Sequence, residues 1–281
     1  MQLWKLILAY DGSPFYGWQV QPDLPTVQGT LATALYQITG ETVLPQGSGR
    51  TDAGVHALGQ VASVDLAAPI PPANLLRALN RALPAAIRVL SAVHAPPHFH
   101  ARHSALRKTY EYRIFPHVSE NDEPDKICPP ILAPYAWDCP WPFALEPAQQ
   151  AAAHILGEHD FTTFSASDPD QTTRESLGTP GLDSATWDGP PPSPKGNIRT
   201  IFSSSWTKED NLLIYRVTGS GFLHHMVRNL VGTFVDVAAG RIEASAIPRI
   251  LSLRKRCAAG PTAPAQGLFL VAVEYPDETP A

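Results

Sequence analysis

Residues 46–60 read QGSGRTDAGVHALGQ, and the organisation of the chain is clearest when read outward from them. Four glycines, Gly47, Gly49, Gly54 and Gly59, surround the basic residue Arg50, the acid Asp52 and the histidine His56. Glycine lets a backbone take positive φ and lets another molecule approach closely. Polar loops set between regular elements are sensible places for a site. Taken alone, the same residues also describe a surface loop in which Arg50 and Asp52 pair with little energetic consequence.

On the N-terminal side of this loop, residues 3–10 alternate as a strand that stops at the turn Asp11-Gly12-Ser13-Pro14. Thr26 is placed to cap a helix on which Val27, Leu31, Ala34, Leu35 and Ile38 share one face. On the C-terminal side, residues 61–66 alternate as a strand. Pro71-Pro72 then opens a helix that turns Leu75, Leu76, Leu79 and Leu83 inward, and residues 87–93 return as a strand. The second half repeats this grammar, with strands predicted over 108–115, 199–206, 212–218 and 268–275 and helices over 147–156, 222–239 and 243–253. Strands and helices mixed in both halves predict an α/β (α+β) class with two lobes, 1–105 and 106–281. Residues 165–197 hold six prolines and no apolar period, which reads as a long surface loop, and 276–281 read as a frayed end.

A chain of 281 residues, 44% hydrophobic and 17% charged, has enough apolar material for one large core or two modest ones. Cys128, Cys139 and Cys257 are odd in number and lie far apart with no CxxC pair, so neither a disulfide framework nor a zinc knuckle is suggested, and a reducing compartment fits best. The opening MQLWKLILAYDG is too short in its apolar run for a signal peptide, and no stretch approaches a bilayer span, so the cytoplasm is expected and no membrane.

The formal net charge of −5 argues at first against a nucleic-acid partner. Its distribution argues the other way. Between residues 67 and 113 the basic side chains are Arg77, Arg81, Arg88, Arg102, Arg107, Lys108 and Arg113, against the single acid Glu111, and Arg249, Arg254, Lys255 and Arg256 form a second cluster. Such clusters describe either a phosphate-binding face or ordinary solvated helix faces.

GRTDAGVHA at residues 49–57 resembles the catalytic signature of the tRNA pseudouridine synthase A (TruA) family. The similarity continues in order through LILAYDGSPFYGWQVQPDLPTVQ at 6–28, FHARHSALRKTYEYRI at 99–114, GFLHHMVRNLVG at 221–232 and APAQGLFLVAVEY at 263–275. It fades between 164 and 198, where this chain is longer and richer in proline than the family pattern. The resemblance implies two similar lobes of mixed, mainly antiparallel sheet with helices around a central cleft. It implies a homodimer acting on uridines at tRNA positions 38, 39 and 40, in the anticodon stem-loop. It further assigns Asp52 as the nucleophile or base, Arg228 as its ion-pair partner, Tyr110 as the aromatic that stacks on or hydrogen-bonds the target base, and Arg50 as the basic residue that holds tRNA and displaces that base.

The reaction breaks the C1′–N1 glycosidic bond and joins C5 of the freed uracil to C1′, without redox change or group donor, so no cofactor is expected. A carboxylate is suited to capture an electron-poor C1′, to remove a sugar proton or to add to the base, and the sequence does not choose among these. A uridine stacked in a stem-loop must first be flipped out. Arg102, Arg107 and Lys108 flank the strand carrying Tyr110 and are expected to contact phosphates. The residues of that strand also describe plain core packing, since Tyr110, Tyr112 and Ile114 share one face.

His56, His100, His103, His224 and His225 raise a metal reading. Helical spacing would turn the adjacent His224 and His225 to different sides, and no carboxylate or cysteine completes a ligand set, so no metal is expected. Two other functions stay open on the residues alone: a catalytically silent RNA-binding protein of the same fold, and an Asp52-dependent nucleoside or glycoside hydrolase.

Overall fold

The computed structural model describes residues 1–117, 126–166 and 196–276. The first half builds β1 (Gln2–Tyr10), α1 (Val27–Thr39), the short β2 (Gln46–Gly47), β3 (His56–Leu66), α2 (Pro72–Ala82) and β4 (Ile87–His94). The second half builds β5 (Arg107–Pro116), β6 (Trp137–Cys139), α3 (Leu145–Ala153), β7 (Gly157–Asp160), β8 (Ile198–Glu209), β9 (Leu212–Gly219), α4 (Met226–Ala238), α5 (Ile247–Leu253) and β10 (Leu268–Glu274). All ten strands join one sheet in the order β4-β1-β3-β10-β5-β9-β8-β7, with β2 on β3 and β6 on β5. The pairing is antiparallel except for β10 with β3 and β5 with β6. The fold is therefore mixed α/β, as the pattern of strands and helices predicts, around a mainly antiparallel sheet, as the family resemblance implies.

Alternation along each strand decides which face is covered. Trp4, Leu6, Leu8 and Tyr10 of β1 are buried on one face, together with Tyr110, Tyr112 and Ile114 of β5 and Leu213, Tyr215 and Val217 of β9. These residues belong to the main core, which also takes in Val27, Leu31, Ala34 and Leu35 of α1, Leu75 and Leu79 of α2, and the alanines 148, 151 and 152 of α3. The other face carries a smaller cluster centred on Val61, Ala101 and Tyr275. Burying a side chain of Leu or Phe size is worth roughly 1.5–3 kcal/mol, so the helix-covered face carries most of the stabilisation.

Local signals account for the helix ends. The Thr26 side chain accepts a hydrogen bond from the Gly29 N–H at the start of α1, and Gly40 closes it in the left-handed region at φ 73°. Pro72 occupies the first turn of α2, where its missing N–H costs nothing.

Several boundaries differ from the sequence reading. β3 begins at His56 rather than residue 61, because Gly59 is accommodated inside the strand: a Cβ there would lie 2.4 Å from the Val271 carbonyl oxygen of β10. α4 begins at Met226 rather than residue 222, because His225 takes a left-handed conformation (φ 59°, ψ 3°) that no α-helix continues through. The predicted helix over 243–253 divides into a 3₁₀ turn at Ala244–Ala246 and α5. The loop expected over 165–197 lies for the most part outside the described residues, as do 277–281 of the expected frayed end.

β10 comes from the end of the chain but sits in the middle of the sheet, between β3 and β5. It brings the start of β3 close to the start of β5, since Leu270 pairs with both Ala57 and Tyr110. Lys108 in turn pairs with Gly219 at the end of β9. The loop before β3, the start of β5 and the loop after β9 thus meet over the sheet centre.

Candidate active site

The loop 48–55 is held by backbone and buried polar groups rather than by its own regularity. The Gln60 amide donates to the Gly49 carbonyl at 2.9 Å and accepts from the Ser48 hydroxyl at 2.6 Å. Tyr10 and Thr51 hydroxyls lie 2.8 Å apart. The Trp18 N–H donates to the Thr51 carbonyl at 3.0 Å, and Gly17, at φ 86°, lets the two backbones touch, since a Cβ there would lie 2.6 Å from that carbonyl oxygen. Of the four glycines in the opening stretch, only Gly54 takes positive φ (77°). His56 is a brace rather than a cleft residue: its ring is buried on Phe269, its Nδ1 accepts from the Gly12 N–H at 3.1 Å, and its Nε2 lies 3.1 Å from the Pro134 carbonyl. With Nδ1 accepting, Nε2 carries the proton and donates to Pro134.

Asp52 emerges from this loop into a cleft of about 710 Å³, a size suited to a nucleotide. Arg228, in the first turn of α4, donates from Nη1 to Asp52 Oδ2 at 2.9 Å. Its Nε donates to the Ala263 carbonyl at 2.7 Å, which fixes the guanidinium fork in one orientation. Both side chains are mostly buried, with 21% of Asp52 and 15% of Arg228 exposed. The pair spans the two halves of the sequence.

Tyr110 lines the cleft from β5, edge-on to Phe222 with ring centroids 5.0 Å apart. Burial pushes its phenol well above the usual range, and Tyr10 and Asp52 add to the shift, so the hydroxyl stays protonated and able to donate. Lys108, two residues earlier on the same face, donates from Nζ to the Ser48 carbonyl at 2.5 Å. Burial, followed by repulsion from Arg102 and Arg199, lowers its ammonium to about 8.

Among the residues expected at the site, Arg50, Asp52, Arg102, Lys108, Tyr110 and Arg228 all line this cleft. Arg107 does not, because strand alternation turns it to the face opposite Lys108 and Tyr110, where its guanidinium lies over the Phe202 ring at 4.6 Å. Arg113 and Arg216 hold the buried carboxylate of Glu111 on that same opposite face. The second basic cluster is partly committed to structure: Arg254 pairs with Asp160 at 3.0 Å, and Arg256 donates to Asn229, Gly260 and Thr262.

Two histidines in the cleft contradict the reading of residues 224 and 225 as helical neighbours facing apart. The left-handed turn at His225 stacks their rings with centroids 3.9 Å apart. His224 Nε2 lies 3.6 Å from Asp52 Oδ1, and His225 Nε2 lies 3.3 Å from Oδ2. A carboxylate therefore does complete the group. Burial pushes the His225 imidazole down, while Asp52 acts in the opposite direction. Arg199, also near Lys108 and Arg102, was not picked out in the sequence, where it is a lone arginine beside a proline-rich segment.

A family model described as tRNA pseudouridine synthase matches residues 6–104 and 182–276. The tRNA pseudouridine synthase A of Solibacter usitatus is 45% identical over 96% of this chain and 98% of its own length. That of Moorella thermoacetica is 42% identical over the same shares of both chains, and that of Neisseria meningitidis is 36% identical over 98% of this chain and 93% of its own. This chain belongs to the tRNA pseudouridine synthase family. Asp52, in the loop before β3 of this pseudouridine synthase, is thus the carboxylate of the RTD triplet, and His224, His225 and Arg228, at the head of α4, lie within 3.6 Å of it. Among the described residues, no helix is long and apolar enough to cross a membrane.

Proposed function

We propose that this protein isomerises uridine to pseudouridine in the anticodon stem-loop of tRNA, at positions 38, 39 and 40, with Asp52 acting on the flipped nucleotide. The observation that carries the reading is the 2.9 Å bond between Arg228 and Asp52 at the floor of a nucleotide-sized cleft. It holds a charged carboxylate in a fixed place with its counter-charge built in. The family membership supports tRNA uridine as the substrate, and the target positions are those that the resemblance of the signature blocks implies.

Extruding the uridine costs a few kcal/mol, and stacking on an aromatic returns roughly 1–3 kcal/mol per base. Tyr110, backed by Phe222, is the aromatic offered to the base, and its protonated hydroxyl is a donor near the reacting atoms. Arg50 enters the space vacated by the base, while Arg102 and Lys108 take phosphates. Arg107, on the opposite face, is left out of this contact set. Residues 1–105 and 106–281 act as the two lobes of the cleft. The working form is a cytoplasmic homodimer in which one tRNA touches both subunits.

The chemistry gives a direct assay. Joining C5 to C1′ expels the C5 hydrogen to solvent and leaves N1 protonated. Purified protein given tRNA tritiated at uracil C5 is expected to release the label, and Asp52→Asn is expected to abolish release. Failure of the wild type to release tritium, or undiminished release by the variant, would sink the proposal.

A further inference from the structure

We propose that the cleft binds one divalent transition-metal ion of the zinc class on Asp52, His224 and His225, and that this ion excludes the nucleotide. One ligand atom from each of these residues lies within 4.8 Å of the other two. Zinc bonds to imidazole nitrogen and carboxylate oxygen are about 2.0–2.2 Å, which places neighbouring ligand atoms of a tetrahedral site about 3.4 Å apart. His225 Nε2 lies 3.3 Å from Oδ2 and His224 Nε2 lies 3.6 Å from Oδ1, so each imidazole stands near that edge length from one oxygen of the carboxylate, and a small rotation of the carboxylate brings one oxygen to both.

The backbone supports the same reading. His225 sits at φ 59°, in the left-handed region that histidine enters more often than most side chains, and the result is that both imidazoles are brought to the same carboxylate. All three side chains are between 21% and 28% exposed, so an ion has access from the cleft. Two histidines and one carboxylate with an open fourth position form the donor set of accessible zinc centres, whereas magnesium and calcium require mostly oxygen. Arg228 does not close the site, because a carboxylate offers about four lone-pair directions and the guanidinium takes one on Oδ2. Its positive charge weakens the ion's hold, which suits a reversible inhibitor better than a resident cofactor. The ion occupies the carboxylate that the proposed reaction needs, so ion and target nucleotide compete for Asp52.

The test is calorimetric titration of the full-length protein with zinc sulfate, paired with the visible spectrum of the cobalt(II) form. One equivalent is expected to bind with a tetrahedral cobalt spectrum. His225→Gln, His224→Gln and Asp52→Asn are each expected to weaken binding at least ~10-fold, since loss of even an outer-sphere partner costs that much. Circular dichroism of each variant separates ligand loss from unfolding. In the tritium-release assay, zinc is expected to inhibit the wild type competitively with tRNA. Absence of saturable binding, retention of full affinity in His225→Gln and Asp52→Asn, or binding without inhibition would overturn the proposal. Binding by a protein that releases no tritium from any tRNA would instead count against the assigned function and leave the ion site standing.

Discussion

Lys108 owes its chemical state to its position. It is drawn against the Ser48 carbonyl, and burial together with Arg102 and Arg199 lowers it to about 8. Below that pH the cleft carries one more positive charge, and above it the charge is lost. Affinity for tRNA is therefore expected to fall between pH 7 and pH 9, whereas Lys108→Arg, whose guanidinium stays charged, is expected to give a flatter profile. Filter binding at the two pH values decides the matter: equal slopes for the two proteins would mean that Lys108 contributes no charge to the RNA. At this scale the sequence was informative where a residue's neighbours are local. Asp52 and Arg50 are carried by one short loop, and Lys108 and Tyr110 are placed by strand alternation. Arg107 follows the same alternation and is turned away by it, so parity along the strand separates the two basic residues. The convergence of His224 and His225 was not legible, because it depends on one left-handed residue that no glycine or asparagine announces.

Helix α4 positions the arginine of the ion pair, and its own position is set by a close approach to the segment 260–263. A Cβ on Gly232 would lie 1.7 Å from the Pro261 carbonyl oxygen, and both partners are backbone that cannot rotate away. The same segment supplies the Ala263 carbonyl that fixes Arg228. Gly232→Ala gains about 1 kcal/mol of helix propensity but is expected to lose more through overpacking, typically 1–3 kcal/mol. The displaced helix also carries Arg228 away from Asp52, and misplacement by about 1 Å is enough to cost roughly 100-fold in rate. A lowered Tm together with a much larger loss in kcat is expected in thermal melts and tritium release, and wild-type values for both would show that the contact yields freely. Elements with strong local periodicity, such as α1 with its Thr26 cap and α2 with its prolines, were legible within a few residues. The three-residue β6 and four-residue β7 were not, since each exists only through pairing with a longer strand. The start of β3 was not legible because Gly59 reads as one of the loop glycines until β10 is seen lying against it.

For the whole molecule, a net charge of −5 has to be reconciled with a polyanionic substrate. The cleft resolves this by segregation: Arg50, Arg102, Lys108 and Arg228 line it, with Arg199 near Lys108 and Arg102, while Glu111 is neutralised on the opposite face of β5 by Arg113 and Arg216. Long-range attraction from the molecule as a whole is then weak, and binding has to come from short-range phosphate contacts inside the cleft. Each neutralised phosphate contributes roughly 0.7–0.9 to the slope of log affinity against log salt concentration. Arg102→Ala is expected to reduce that slope by about one such unit, weakening all tRNAs to a similar extent, because a phosphate contact carries no sequence information. Arg107→Ala, which changes charge by the same amount on the opposite face, is expected to leave the slope nearly unchanged. Comparing the two variants across a salt series separates a local contact from general electrostatics. If both alter the slope equally, the RNA responds to total charge, and the cleft loses its claim to be the binding surface.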